Sequence, residues 1–562
     1  MSKLTPQQAA ATLQEALALH RQGRLAEAEK LYARILKAFP NQFDALHLSG
    51  LAKLQSGKAG EAHRLISAAL KVAPQSADAH ANLGLVLGAL KRPADALASF
   101  ERALALAPDH LEALGNRGNV LLDLARPDEA LTCFDQVLAH DPRHLPARVN
   151  RGNALTALGR PQEAIGEYDA ALALEPADVK ALFNRATALF RLGRNAEALA
   201  GFDRVLALMP QYAEAHVGRG QVLQALGRHA DALASYRQAS AISKDYADAH
   251  FNAALALLTL GNYRDGFAAY EWRWKRSGSA RRSFGKPLWL GDYPLARKTI
   301  LLHAEQGLGD TIMFARYAPL LARDGAKVVL EVQGELKELL AQLDGVTVVA
   351  RGEALPAFDV HCPLASLPRA LRTEPASIPA AVPYLAASVE RVAKWRARIE
   401  ALPAPRVALA WAGNAAHPND RNRSLTVETL APLLTARASF VSVQRDLRAA
   451  DAEALARMPG LLNVAGDLAD FEDTAAVLAL CDLVIAVDTS VAHLAGALGR
   501  PTWILLPFSP DWRWMLGRED SPWYPTARLF RQPDAGDWRS AVGRVCEALA
   551  AFGPPGHGGE PA

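Results

Sequence analysis

Cysteine is scarce in this chain, and its four cysteines lie far apart in the 562-residue sequence: Cys133, Cys362, Cys481 and Cys546. Because no pair has CxxC spacing, they predict neither a disulfide framework nor a zinc knuckle. No run approaches the roughly 18 apolar residues that would span a bilayer. The N-terminal segment has no uninterrupted apolar core, so we expect no secretory signal. These absences favour a reducing cytoplasmic location.

An excess of charge of one sign is also lacking. Lys and Arg number 62 against 59 Asp and Glu, so the formal net charge is only +3. This balance gives no electrostatic reason to expect a nucleic-acid partner. One arginine-rich run, Arg273 to Arg282, contains interleaved tryptophans. Nucleic-acid binding is one interpretation, but an isolated run in a neutral chain favours a domain junction.

Internal repeats dominate the first half of the sequence. Prolines recur every 34 residues: Pro40, Pro74, Pro108, Pro142, Pro176 and Pro210. Small residues recur at the same spacing from Ala28 to Gly266, and large apolar residues, mostly aromatic, from Tyr32 to Tyr270. The small residue allows two antiparallel helices to approach, and we expect the aromatic ring to fill the gap between successive helix pairs. Proline ends the second helix of each pair.

This pattern resembles the tetratricopeptide repeat family over about 270 residues. The resemblance predicts an α-solenoid of about eight helix pairs over residues 1–280, whose concave face binds another polypeptide. A series of asparagines lies in the first helices, interrupted by Gly218: Asn82, Asn116, Asn150, Asn184 and Asn252. Amides both donate and accept, so this series could clamp an extended peptide backbone. It resembles the asparagine ladder of the O-GlcNAc transferases. The alternative is that the amides only hydrogen-bond neighbouring helices.

The second half alternates short apolar strands with helices, which predicts parallel sheets and crossover connections. We expect an α/β fold with two Rossmann-like lobes and a cleft at the carboxyl ends of their strands. The expected boundaries are a linker over 281–298, a first lobe over 299–402, a second lobe with a C-terminal helix over 403–552, and a disordered tail over 553–562.

A glycine-rich turn follows the first strand of the first lobe. Gly307, Gly309 and Asp310 open a helix predicted over 311–325. A dinucleotide site is one interpretation, although Ile312 stands where the third glycine of GxGxxG belongs. In a second interpretation Asp310 is a general base at the mouth of the cleft. In a third it only caps its helix, where an acid is favoured anyway.

Two further turns lie in the second lobe. Asp488, Thr489 and Ser490 link a buried strand to a helix, whose free N–H groups and hydroxyls would cradle a diphosphate. His493 either reaches that phosphate or packs within the lobe.

The other turn follows the first strand of this lobe and carries four candidate diphosphate ligands: Asn414, Arg421, Arg423 and Ser424. A guanidinium there would stabilise a departing diphosphate without proton transfer. The alternative is a solvated loop. For Trp512, Trp514 and Trp523, stacking on a sugar or base and packing between lobes are both open.

Together these turns resemble the heptosyltransferase-like glycosyltransferases of family nine, a GT-B group, from Thr299 to Ala551. The resemblance implies that Asp310 is the catalytic base, that Arg423 replaces a phosphate-binding lysine, and that the turn at Asp488 binds the donor. The chain departs from the family pattern at two positions. Arg423 stands in place of lysine, which is not equivalent at a phosphate site, and serine stands where many members have glycine.

Our hypothesis is an inverting, metal-independent glycosyltransferase that uses a nucleotide-diphosphate sugar and no separate cofactor. The acceptor would be a protein or extended peptide presented by the repeats, since tethering raises the effective acceptor concentration. Bacterial relatives of this layout point to flagellin or another surface protein. The alternatives are a binding scaffold with a degenerate transferase half, and a transferase acting on a lipid or saccharide.

Overall fold

A computed structural model describes residues 4–279, 281–417, 419–458 and 460–552. The chain forms two compact units, Met1–Gln211 and Tyr212–Ala562. The predicted disordered tail, 553–562, lies outside the described residues. None of the helices in the described ranges is long and apolar enough to cross a membrane. The predicted domain boundaries stay predictions, since the division between units falls inside the repeats.

The first unit consists of antiparallel helix pairs. Its helices are α1 (Pro6–Arg21), α2 (Leu25–Ala38), α3 (Phe43–Gln55), α4 (Ala59–Val72), α5 (Ala77–Ala89), α6 (Pro93–Leu106), α7 (Leu111–Asp123), α8 (Pro127–His140), α9 (Leu145–Ala157), α10 (Pro161–Leu174), α11 (Val179–Arg191) and α12 (Asn195–Leu208). Local sequence fixes their ends. Ser76 caps α5 by accepting from the Ala79 N–H, and Pro161 begins α10, where no N–H is needed.

The aromatic series has a contact that the prediction did not include. Four of its rings lie against a glycine of the first helix of their own pair: Phe100, Phe134, Tyr168 and Tyr236. A Cβ added to Gly84 would lie 2.6 Å from the Phe100 ring, and one added to Gly152 would lie 2.5 Å from the Tyr168 ring. The glycine on the first helix therefore makes room for the ring on the second helix of the same pair. This contact explains why these glycines and rings recur at the same 34-residue spacing.

The second unit begins with four more helices: α13 (Ala213–Ala225), α14 (His229–Ile242), α15 (Ala247–Thr259) and α16 (Tyr263–Tyr270). They continue the helix-pair pattern, and α16 belongs to the same hydrophobic core as the two sheets that follow. In the arginine-rich run, the Lys275 ammonium lies 3.9 Å from the centre of the Trp272 ring. The segment predicted as a linker packs beside the first sheet, where the main-chain N–H of Trp289 donates to the main-chain carbonyl of His361. Both observations support the interpretation of this run as a junction.

The first lobe is a four-stranded parallel sheet in the order β3-β2-β1-β4. Its strands are β1 (Thr299–His303), β2 (Lys327–Val332), β3 (Val346–Ala350) and β4 (Val360–Pro363), and its helices are α17 (Leu308–Ala315), α18 (Ala318–Arg323), α19 (Lys337–Leu340) and α20 (Leu367–Ala370). The next helix, α21 (Val389–Glu400), pairs with the second lobe through Arg391 and Asp470. The single helix predicted over 311–325 was wrong. It breaks into α17 and α18 because Pro319 has no N–H to donate to the Ala315 carbonyl.

The second lobe is a six-stranded parallel sheet in the order β7-β6-β5-β8-β9-β10. Its strands are β5 (Arg406–Ala410), β6 (Ser439–Ser442), β7 (Leu461–Asn463), β8 (Leu483–Val487), β9 (Thr502–Leu506) and β10 (Ala527–Arg531), and its helices are α22 (Asp420–Arg423), α23 (Ala449–Leu455), α24 (Phe471–Leu480), α25 (Ser490–Ala497) and α26 (Trp538–Ala550). The strand order reverses between β5 and β8. In such doubly wound sheets ligands bind beyond the carboxyl ends of the strands at this reversal.

The packing of rings on glycines predicts that substitution by alanine will affect stability very differently at two glycines of one helix pair. Gly152→Ala drives a methyl group into the Tyr168 ring, whereas Gly166 on α10 faces open space. We expect Gly152→Ala to destabilise the first unit by about 1–3 kcal/mol. Gly166→Ala should be neutral or stabilising by up to about 1 kcal/mol, because alanine is the better helix former. Urea unfolding followed by circular dichroism measures both, and equal effects would contradict the packing described here.

Candidate functional site

Asp310 lies in the first turn of α17, directly after β1. Its Oδ2 accepts a hydrogen bond from the Gly307 N–H at 3.1 Å, so it does cap the helix. Its Oδ1 is paired with the Arg513 guanidinium of the second lobe. The side chain is 23% exposed. Each carboxylate oxygen thus has one partner and keeps a further lone pair, so Asp310 can accept another hydrogen bond without losing either contact.

Arg513 joins the two lobes and is the main partner that sequence reasoning missed. Its guanidinium pairs with Asp310 and, at 2.6 Å, with Asp511. Burial opposes its charge, yet these two carboxylates outweigh burial and raise the pKa of Arg513. A detectable signal was present, since a charged residue between Trp512 and Trp514 needs a buried partner. The sequence could not indicate that the partner is Asp310.

The turn after β8 is the second element of the site. Thr489 is the N-cap of α25, and its hydroxyl is buried without a hydrogen-bond partner in the described part of the chain. The N–H groups of Ser490 and Val491 open the helix and have no carbonyl acceptor within it. Burial and the neighbouring Asp511 raise the pKa of Asp488 to about 6. Unpaired donors at the start of a helix suit an anion.

His493 lies one turn further along α25 and is almost fully buried. Its Nδ1 lies 3.0 Å from the Tyr524 hydroxyl, and its ring stacks on Trp514 with centroids 5.5 Å apart. Its Nε2 is 3.9 Å from the nearest Asp488 oxygen. Burial, followed by the charge of Arg513, lowers its pKa well below the usual value. The imidazole is therefore neutral and packed, while its contact with a phosphate stays a prediction.

Gly309 lies where α17 of the first lobe packs against α25 of the second lobe. A Cβ there would lie 2.7 Å from His493 Cδ2 and 3.3 Å from the Ser490 Cα. Only a residue without a side chain allows α17 to pack on α25 at this distance. This glycine therefore brings the turns carrying Asp310 and Asp488 to one place.

Arg423 lies on α22, beyond the carboxyl end of β5. Its Nη1 donates to the Asp488 carbonyl at 3.1 Å, and its buried Nε has no hydrogen bond within the described residues but lies 4.0 Å from Asp420 Oδ1. A Cβ on Gly413 would lie 2.6 Å from Arg423 Nη2, so this glycine makes room for the guanidinium. Ser424 is buried, donates to Asp420 at 2.6 Å, and thereby fixes the loop. Its hydroxyl is engaged within the protein.

Two predicted donor ligands lie further out. Asn414 and Arg421 are exposed on the loop after β5, and the Asn414 Oδ1 accepts from the Ala416 N–H at 2.9 Å. The structure thus brings together Gly309, Asp310 and Arg423 with the whole Asp488 turn. It leaves Asn414 and Arg421 on the surface. Within the described ranges, no three His, Cys, Asp or Glu side chains converge as they would around a metal ion.

The three tryptophans pack inside the protein. Trp512, Trp514 and Trp523 are all buried. The Trp523 Nε1 donates to the Tyr263 hydroxyl of α16 at 3.2 Å, and Trp512 packs edge-on against the same tyrosine. These rings pack the second lobe against the end of the repeats, which favours the packing interpretation over sugar stacking.

The asparagine series is partly hydrogen-bonded within the first unit. Asn150 donates to Asn119, and Asn184 donates to Asn153, each at 2.8 Å. Asn82 lies 2.8 Å from a His47 ring nitrogen. These bonds support the alternative that the amides link neighbouring helices, although one bond leaves most of an amide's capacity free. Asn116 and Asn252 are half-buried, and the described residues provide no side-chain partner for either.

A buried ion-pair network joins the end of the repeats to the turn after β1. Arg273 donates to Glu271 at 2.8 Å, to Glu305 at 3.1 Å, and to the Ser366 hydroxyl at 2.7 Å. One guanidinium thus serves two buried carboxylates. Burial is the main reason that the pKa of Glu305 is raised to about 7, despite the opposing effect of Arg273. Sequence reasoning missed this network because its members are 32 and 93 residues from Arg273.

Matches to known protein families cover the repeats and part of the second lobe. The tetratricopeptide repeat family matches residues 2–43, 75–143, 116–179, 149–213 and 222–261. Glycosyltransferase family 9 (heptosyltransferase) matches residues 440–508, which contain β8, the Asp488 turn and α25. The chain thus carries tetratricopeptide repeats across its N-terminal region and a match to glycosyltransferase family 9 near its C-terminal end.

Individual proteins are similar to only part of this chain. Protein FlbA of Caulobacter vibrioides is 30% identical over 293 residues, which are 47% of this chain and 48% of FlbA. The chain thus matches about half the length of this curated relative. A tetratricopeptide repeat protein of Parabacteroides merdae is similar at 21% identity and a TM-score of 0.38, over 45% of this chain and 99% of that one. A thermophilic tetratricopeptide repeat protein of Thermus thermophilus is similar at 27% identity and a TM-score of 0.30, over 33% of this chain and 100% of that one.

The Arg273 network predicts a pH dependence of stability. Because its pKa is raised, folded Glu305 binds a proton more tightly than unfolded Glu305 between about pH 4.5 and 7. Stability should therefore fall as pH rises through this window, by about 1–3 kcal/mol from this residue. Glu305→Gln should remove that part of the decline in thermal melts between pH 5 and 8. Glu335→Gln, at an exposed glutamate of the same lobe, is the control. A Glu305→Gln slope equal to that of the unsubstituted protein would contradict the assignment.

Proposed function

We propose that this protein is an inverting, metal-independent glycosyltransferase that transfers a sugar from a nucleotide-diphosphate donor to a protein acceptor bound by its repeats. The observation that carries the proposal is the convergence of three turns at Gly309. Asp310, Arg423 and the start of α25 come from three strand ends, and the α25 turn lies inside the family 9 match. The donor needs no separate cofactor, and a cytoplasmic location suits a nucleotide-sugar enzyme.

In this proposal the donor diphosphate lies at the start of α25. The free N–H groups of Ser490 and Val491 and the buried Thr489 hydroxyl are its hydrogen-bond donors. Arg423, bonded to the Asp488 carbonyl and only 4.0 Å from an Asp420 oxygen, is the cation we propose for the leaving diphosphate. Because a guanidinium at this site stays charged, it stabilises the developing negative charge without proton transfer.

Asp310 is the proposed base. It would accept the proton of the acceptor hydroxyl as that oxygen attacks the anomeric carbon and the bond to the diphosphate breaks. The lone pairs left free beside the Gly307 N–H and Arg513 contacts are available for that proton, and release of one contact would make the carboxylate more basic. The Arg513 guanidinium keeps Asp511 as a second partner, so releasing Asp310 does not leave its charge unpaired.

The repeats are the proposed acceptor site. Asn116 and Asn252 have amide groups that the described structure leaves unbonded, and the bonded asparagines keep spare donors and acceptors. Flagellin or another surface protein is the acceptor class we propose. Asn414 and Arg421, on the exposed loop after β5, would contact the donor only if this loop moves inward.

One observation favours a second function, a binding scaffold with an inactive transferase half. Asp310 has both carboxylate oxygens engaged, and His493 is held by Tyr524 and Trp514. A closed polar network of this kind stabilises the lobes without any chemistry. If the protein bound no member of a panel of nucleotide sugars, that result would favour the scaffold over the enzyme.

Substitution of Asp310 separates the two functions. Asp310→Asn keeps the shape of the side chain but cannot accept a proton. We expect sugar transfer to fall by about 10²–10⁴-fold while donor affinity changes by less than about threefold. Transfer is followed by the intact mass of co-expressed acceptor candidates, and donor binding by calorimetry.

Asp324→Asn is the matched control, because Asp324 is an exposed aspartate of the same lobe beyond α18. It should leave both transfer and donor binding unchanged. Undiminished transfer by Asp310→Asn would remove Asp310 from the mechanism. Modification of a lipid or saccharide, with no change in protein mass, would replace the protein acceptor while keeping the transferase.

A further inference from the structure

A groove lies between α16 and the end of the first lobe's α20. Its volume is about 570 Å³, within the range of roughly 300–1,000 Å³ typical of ligand sites. Tyr263, Phe267 and Pro368 contribute apolar surface to its lining. None of the residues that line it belongs to the candidate active site described above.

Three arginines line this groove from both sides. Arg264 is on α16, and Arg369 and Arg372 are on and just after α20. Their side chains have no ion pair or hydrogen bond within the described ranges. The nearby junction arginines are different, since Arg273 and Arg276 both pair with an acid.

The groove therefore carries a local positive charge in a chain that is nearly neutral overall. Glu374 is the one acidic residue among those that line it. Three guanidinium groups that lack acidic partners repel one another, and an anion from outside the chain would relieve that repulsion.

The position of Arg372 is fixed by the turn that carries it. Its φ is 52°, a left-handed conformation that costs a non-glycine residue free energy. Two backbone bonds hold the turn, from the Arg372 N–H to the Arg369 carbonyl at 3.1 Å and from the Thr373 N–H to the Pro368 carbonyl at 2.8 Å. The buried Thr373 hydroxyl lies 3.0 Å from the Tyr317 hydroxyl. The guanidinium is therefore carried on a well-anchored backbone.

We propose that this groove binds an acidic segment of polypeptide, with carboxylates on the three arginines and apolar side chains on Tyr263 and Phe267. Arginine forks match carboxylates in geometry, and the apolar part of the lining suits the other side chains of a peptide. A nucleic acid fits less well, because it would need a continuous basic track for successive phosphates. The inference rests on the proposed function in one respect, since the segment is taken to belong to the acceptor.

Binding is tested on the full chain without any sugar donor. The probe is a short fluorescein-labelled peptide of alternating Asp, Leu and Gly, compared by anisotropy with its Asn counterpart. We expect the Asp peptide to bind and the Asn peptide to bind about tenfold or more weakly, with a difference that shrinks as salt is added. Equal affinity for the two peptides would overturn the proposal.

The variant combines Arg264→Ser, Arg369→Ser and Arg372→Gly and should weaken Asp-peptide binding by about tenfold or more. Glycine accepts the left-handed conformation at 372, so this change should preserve or raise the melting temperature. The matched control is Arg237→Ser, Arg437→Ser and Arg539→Ser, at exposed arginines for which the described chain shows no ion pair. It makes the same change in net charge and should leave binding unchanged.

The remaining outcomes are also decisive. If both triple variants weakened Asp-peptide binding equally, the effect would be one of general charge, and the proposed groove site would be overturned. Displacement of the peptide by millimolar inorganic phosphate or by a short RNA, at the same ionic strength, would replace it with a phosphate site. Peptide binding in a protein that binds no nucleotide sugar would refute the proposed transferase while leaving this groove standing.

Discussion

The close contact between α17 and α25 is the constraint on which the candidate site depends. Gly309 has no side chain, so the first helix of the first lobe rests directly on Ser490 and His493. A methyl group at this position would separate the helices and the turns that precede them. The turns that carry Arg423 and Asp488 are neighbours because β5 pairs with β8, and the contact at Gly309 adds the Asp310 turn from the other sheet.

The charges of the site are balanced across the same contact. Arg513 is shared by Asp310 and Asp511, and Arg423 supports the Asp488 turn through its carbonyl rather than its carboxylate. Burial, followed by the charge of Asp511, raises the pKa of Asp488 against the opposing effects of Arg513 and Arg423. A second shared arginine, Arg273, links the helix after the repeats to the turn after β1. Shared guanidinium groups therefore couple the repeats, the first lobe and the second lobe within the second unit.

Local and periodic features could be read from the sequence. The 34-residue spacing predicted the helix pairs, and alternating apolar strands predicted the two parallel sheets, because both patterns depend on neighbours along the chain. The turns at Asp310 and Asp488 were recognisable because each follows a buried strand and opens a helix.

Long-range partners could not be read in this way. Nothing near Asp310 in the sequence indicates Arg513, 203 residues away, and nothing near Arg273 indicates Ser366. The glycine seats of the aromatic rings were not predicted, since the same period fits packing within a pair and between pairs. The role of Gly309 was also hidden, because a glycine in a turn is ordinarily explained by the turn itself.

The central claim is that the turns meeting at Gly309 form a site for a nucleotide-diphosphate sugar. Amide hydrogen exchange of the full chain, with and without each member of a panel of nucleotide sugars, tests it most directly. The account predicts that one donor slows exchange together in residues 307–312 and 488–493, because both turns face the same diphosphate. Slowed exchange confined to other segments, or no change with any donor, would contradict it.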